Sequence, residues 1–80
     1  MVTSESIQQN IAQGMETEHL VVEGDDGTHF NALVVSDEFE GKSRVQRHQR
    51  VYQTLGDQMR EEIHALSMKT LTPKEWHEQK

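Results

Sequence analysis

Apolar residues fall at Ile7, Ile11 and Met15, four apart on one helical stripe, and Ser4 stands where a helix cap is needed. Gly14 weakens the end of this first helix. Two β-branched or apolar runs follow, Leu20-Val21-Val22 and Phe30 to Val35. They flank Gly24-Asp-Asp-Gly27, a strong turn signal, and the pattern predicts a β-hairpin with Thr28 and His29 just past the turn. Residues 37–41 read as a polar connector. A longer helix is predicted from a Ser43 cap to about Glu61, with Val45, Tyr52, Leu55 and Met59 as its apolar stripe and His48 on the same side. Gly56 is a flaw at which this helix can break in two. Residues 63–69 alternate as a strand does, with His64, Leu66 and Met68 on one face and Ile63, Ala65 and Ser67 on the other. Thr72-Pro-Lys-Glu75 reads as a capping box with proline at the first helical position, so Trp76 anchors a short last helix to the sheet. The order is α-β-β-α-β-α, an α+β domain with helices on one face of a three-stranded sheet.

Eighty residues, 32% of them hydrophobic and only four aromatic, make one domain with a thin core. There is no cysteine, hence no disulfide, which suits a reducing compartment. The N-terminal residues have neither the basic nor the apolar region of a signal peptide. No stretch approaches the roughly 18 apolar residues of a membrane span. A cytoplasmic protein without membrane contact is the expectation.

Charge changes the picture more. The formal net charge is −6, which argues against indiscriminate nucleic-acid binding. Yet residues 41–56 carry Lys42, Arg44, Arg47 and Arg50 with His48 and no acid. Residues 16–40 carry Glu16, Glu18, Glu23, Asp25, Asp26, Asp37, Glu38 and Glu40 with no lysine or arginine. The molecule is therefore electrically polar, which orients its partners. Gly41-Lys-Ser-Arg precedes a helix and can receive an anion there, but it lacks both the Walker A spacing and the second glycine of a G-x-x-G loop. The alternative is a glycine entering a Ser-capped helix whose arginines are solvated. Arg44, Arg47 and Arg50 step by three and spread over roughly a third of the helix circumference, an arc suited to a curved acidic partner or a duplex backbone.

Catalytic signals are missing. No serine among Ser4, Ser6, Ser36, Ser43 and Ser67 sits in a nucleophile motif, and a chain this short has little room for a substrate-burying pocket. A non-enzymatic protein is expected. The histidines are His19, His29, His48, His64 and His77, and they lack zinc-ligand spacing. His64 stands out because it shares a strand face with Leu66 and Met68, where an unpaired imidazole is costly. Either a hydrogen bond satisfies it or its solvent-side nitrogen is held for a ligand.

The blocks Gly41-Lys-Ser-Arg-Val-Gln-Arg-His48 and His64-Ala-Leu-Ser67, with the Thr72-to-Trp76 ending, closely resemble the BolA family in its small IbaG-like branch. The resemblance covers roughly residues 15 to 77. It implies the same α-β-β-α-β-α order, similar to a type II K-homology topology. It also implies a heterodimer with a monothiol glutaredoxin, bridged by a [2Fe–2S] cluster, in iron–sulfur trafficking or iron sensing. The family's strand histidine maps onto His64, and the ligand from the loop between the first two strands maps onto His29, which makes this the histidine-loop type. The remaining ligands would be thiolates of the glutaredoxin and of glutathione, so the isolated chain is expected without a cofactor, as a monomer or weak dimer. The family's second role is transcription regulation through DNA, for which Arg44, Arg47, His48 and Arg50 match the R-V-x-R-H-x-x-V segment, with Lys42 just before it. A metal-free adaptor of glutaredoxin is the third possibility. His19 and His77 match no ligand position and are expected at the surface.

Overall fold

The computed structural model describes residues 3–24, 29–56 and 65–79. The described elements follow the predicted order: α1 (Ser4–Gly14), β1 (His19–Glu23), β2 (His29–Val35), a 3-10 turn (Asp37–Phe39), α2 (Arg44–Leu55), β3 (Ala65–Leu71) and α3 (Pro73–Glu78). The three strands form one sheet in the order β1-β2-β3, with β1 antiparallel and β3 parallel to β2.

Each helix starts where its sequence supplies a cap. Thr3, one residue before the expected Ser4, caps α1 by accepting from the Ser6 amide and completes a capping box. Ser43 and Thr72 do the same for α2 and α3, with Gln46 and Glu75 returning the bond. Gly56 ends α2 as its C-cap at φ 58°, a conformation in which an L side chain is strained. The expected continuation to Glu61 lies outside the described residues, as do most of the hairpin turn and residues 63 and 64.

The core forms between the sheet and α1 with α2. Ile7, Ile11 and Met15 meet Val22, Phe30, Ala32 and Val34 of the sheet and Val51 and Leu55 of α2. Leu20, Leu66 and Met68 pack on its margin. Gly14 brings α1 close to α2: a Cβ there would lie 2.8 Å from Thr54 Cβ and Cγ2. At the other end α3 closes over the sheet, where Trp76 stacks on His19 of β1 with ring centroids 4.9 Å apart. His77 pairs with Glu18 at 3.2 Å, so the two histidines expected at the surface both have partners there.

Two expectations need correction. The stripe of α2 that faces the core is Arg47, Val51 and Leu55, whereas Val45 is 66% and Tyr52 37% exposed. The physical reason is that the stem of Arg47 goes inward while its guanidinium finds acceptors, so the buried face does not coincide with the apolar one. The connector 37–41 is not wholly polar in role: Phe39 is completely buried and belongs to the core. Ser36 fixes that turn, its hydroxyl donating to Glu16 O at 2.6 Å and accepting from the Glu38 amide at 3.1 Å. Among the described residues no helix is long and apolar enough to cross a membrane.

Candidate functional site

His29 is the first residue of β2 and is exposed. Alternation along the strand sets it on the opposite side from Phe30, Ala32 and Val34, and so away from the packed helices. Its Cα partner across the parallel pair is Ala65, the residue that follows His64 in the chain. His64 itself lies outside the described residues. Among the described residues no group of three or more His, Cys, Asp and Glu side chains converges as a metal site would require. The chain has no cysteine, and among the described residues the imidazole at this end of the sheet is that of His29. Such a donor set fits an iron–sulfur cluster only as part of a coordination sphere, because thiolates are the usual ligands and two imidazoles replace them at one iron in Rieske centres.

The basic helix is built differently from a uniformly solvated arc. Arg47 is tied down by three acceptors: its Nη1 donates to Glu75 Oε1 at 2.7 Å and to Thr70 O at 3.2 Å, and its Nε donates to Lys42 O at 3.0 Å. Arg50 Nε donates to Glu38 Oε1 at 2.9 Å and its Nη2 to Gly14 O at 2.9 Å. These two arginines connect α2 to α3, β3, α1 and the 3-10 turn. Lys42 and Arg44 are exposed and form no ion pair with any described residue. Lys69, which sequence reasoning passed over, is likewise exposed and unpaired. The signal that could have found it is its alternation with Met68, which turns it to the open face of the sheet. Four of the acids, Glu16, Glu18, Asp37 and Glu38, line a cleft with Thr17 and Ser36, and the Arg50–Glu38 pair joins that acidic cleft to the basic helix.

Hydrogen bonding sets the carboxyl groups of this region. The Glu16 amide, and then Arg50, hold Glu38 below the usual carboxylate range against the opposing push of burial. Arg47, and then the Thr72 amide, do the same for Glu75. For His48 burial is the main cause of a lowered value, and the nearby Arg44 cation adds to it. Its half-buried ring keeps Nε2 out of solvent without a hydrogen-bond partner among the described residues.

These shifts share one sign. A histidine whose folded value is lowered contributes stability that is complete above its unfolded value, about 6.5, and is lost as the pH falls through the folded value. The lowered carboxyls contribute above their unfolded values and lose their share at still lower pH. Acid therefore destabilises the fold in two successive windows. The expected result for His48→Gln is a flatter stability curve in the upper window with the carboxylate window unchanged, measured by urea unfolding at a series of pH values. Equal slopes for both proteins in the upper window would contradict the assignment.

A small α+β domain with an imidazole at one end of its sheet and a partly neutralised basic helix is thus defined by its geometry. The chain belongs to the BolA-like protein family, whose match runs over residues 2–75. It is 44% identical over 52 residues to the DNA-binding transcriptional regulator BolA of Haemophilus influenzae, covering 65% of this chain and 50% of that protein. BolA-like protein 2 of Mus musculus is 37% identical over 83 residues, covering 99% of this chain and 95% of its own. Among solved structures, a bolA protein homologue from Coxiella burnetii is 45% identical with a TM-score of 0.83, over 96% of this chain and 99% of that one. The chain also matches SufE-like protein 1 of Arabidopsis thaliana at 53% identity over 53 residues, spanning 65% of this chain and only 14% of that protein. It therefore spans half or less of two of these relatives and nearly all of the other two.

Proposed function

We propose that this chain is a non-enzymatic partner protein that co-ligates a [2Fe–2S] cluster with a monothiol glutaredoxin and glutathione, through His29 and His64. The observation that supports it best is the register of the parallel pair: His29 stands opposite Ala65, and His64 is the next residue back along the chain. Ligation by this pair would make the chain a histidine-loop member of the family, as its resemblance to the IbaG-like branch implies. The chemistry agrees, since a chain with histidines and no cysteine completes a cluster only when thiolates arrive from elsewhere. A cluster held partly by imidazole gains a higher potential and a pH sensitivity that thiolate ligation lacks. Imidazole binds when neutral, so ligation weakens in acid. Such a protein would serve iron–sulfur trafficking or iron sensing in the cytoplasm.

The test is to mix the chain with a monothiol glutaredoxin, glutathione, iron and sulfide and record visible circular dichroism. A spectrum distinct from that of the glutaredoxin alone is expected, and His64→Ala and His29→Ala should each change it. A complex that forms with an unchanged spectrum would sink the ligand reading and leave a metal-free adaptor.

A second reading, transcription regulation through DNA, is favoured by the name of the Haemophilus influenzae relative. On this chain the phosphate contacts would fall to Lys42 and Arg44, because Arg47 and Arg50 already face carboxylates of their own protein. With two of the helix's arginines already paired on a chain of net charge −6, such binding would be confined to low salt.

A further inference from the structure

We infer that the outer edge of β3, with the first turns of α2 beside it, is a docking groove for an extended acidic peptide. The inference is independent of the cluster reading and concerns a different part of the molecule. It starts from the main chain. Leu71 O accepts from the Ser36 amide at 3.0 Å, on the side of β2. Thr70 O accepts from Arg47 at 3.2 Å, on the outer side. Along a strand the N–H and C=O of one residue point the same way and the direction alternates from residue to residue, so Met68 also turns both groups outward. No strand among the described residues lies there, because β3 ends the sheet. The opposite edge is treated otherwise: on β1 the Val22 amide is taken by Gln8 Oε1 at 3.2 Å. A bare edge is a template for another chain.

The side chains along that edge fit one kind of visitor. Arg44, His48, Met68, Lys69 and Thr70 line the groove. Arg44 and Lys69 have no ion pair among the described residues, in contrast to Arg47 and Arg50. Arg44 also opens α2, whose first turn holds no acidic residue, so its charge opposes the helix dipole without compensation inside the fold. His48 Nε2 is buried here without a partner among the described residues, and buried polar atoms of native proteins normally have one. The bare main chain of Met68 calls for a second main chain, the two cations call for carboxylates, and the half-buried Met68 side chain offers an apolar contact. A nucleic-acid strand is disfavoured, because the groove is lined by no Phe, Tyr or Trp, the half-buried His48 being its one ring, and the net charge of −6 repels polyanions overall.

The probe is a short capped peptide alternating glutamate with valine, titrated into the full ¹⁵N-labelled chain. Its lysine–valine counterpart and a short oligothymidylate serve as comparisons. The glutamate peptide should shift the Met68 and Thr70 amides and the His48 imidazole nitrogens, and slow Met68 amide exchange about tenfold or more at saturation. Arg44→Glu should weaken binding about tenfold. That variant keeps its fold because position 44 is exposed at a helix start, where glutamate is favoured. Lys69→Glu, on a different element, should act in the same direction. No response to the glutamate peptide overturns the proposal. So do shifts scattered over the surface without slower Met68 exchange, and so does a stronger response to the oligothymidylate, which would make the occupant a nucleic acid.

Discussion

Phe39→Ala is expected to cost about 3–5 kcal/mol, the usual range for removing a buried aromatic ring. A chain of this length is stable by roughly 4–12 kcal/mol, so the loss takes about a quarter of the total or more. The ring is completely buried and is the largest side chain so enclosed among the described residues. It sits in the 3-10 turn that Ser36 caps, and the Arg47 guanidinium carbon lies 6.0 Å from its centroid, within the range of a cation–π contact. Removing it opens a cavity beneath α2 and takes away the apolar floor on which Arg47 lies. Urea unfolding followed by far-ultraviolet circular dichroism measures the change. A loss below about 1 kcal/mol, the level of an ordinary surface substitution or less, would show that Phe39 is not a core residue.

Arg47→Ala should destabilise by about 2 kcal/mol. The side chain is 15% exposed and donates to Glu75, Thr70 O and Lys42 O, joining α2 to the last strand, the last helix and the preceding loop. Hydrogen bonds to a charged donor contribute more than neutral ones, but Glu75 is 42% exposed and recovers water when its partner goes, which keeps the figure from rising further. Arg47→Lys should recover only part of the loss, since one ammonium cannot reproduce a planar fork aimed at separated acceptors. A double-mutant cycle with Glu75→Gln in urea isolates the ion pair from the two carbonyl contacts. If Arg47→Ala unfolds at the same urea concentration as the parent, then the arginine is a solvated surface group, as a purely local reading of the helix suggests.

Both effects mark where the sequence was hard to read. Local signals carried far: the Ile7, Ile11 and Met15 stripe is buried as its spacing requires, and the Thr72-Pro-Lys-Glu75 box starts α3 with both reciprocal bonds present. The cap of α1 moved by one residue, from Ser4 to Thr3, because adjacent hydroxyl residues compete for one role. Phe39 was hidden by its acidic neighbours, since a single aromatic residue has no periodicity. The inward face of α2 was misread because Arg47 and Arg50 find their carboxylates 28 and 12 residues away, and no local pattern reports pairings at such separations. At the candidate site, the place of His29 at the start of the second strand was legible in the turn signal before it. Its register against Ala65 came only from the parallel pairing of β2 with β3.

The central claim is that His29 and His64 bind iron, and pulsed electron paramagnetic resonance tests it most directly. The chain is labelled with ¹⁵N-histidine, combined with unlabelled monothiol glutaredoxin, glutathione, iron and sulfide, and the cluster is reduced by one electron. Two distinct ¹⁵N couplings of directly bound nitrogen are expected, one lost in His29→Ala and the other in His64→Ala. A reduced cluster that shows no coupling to the labelled histidines would contradict the account.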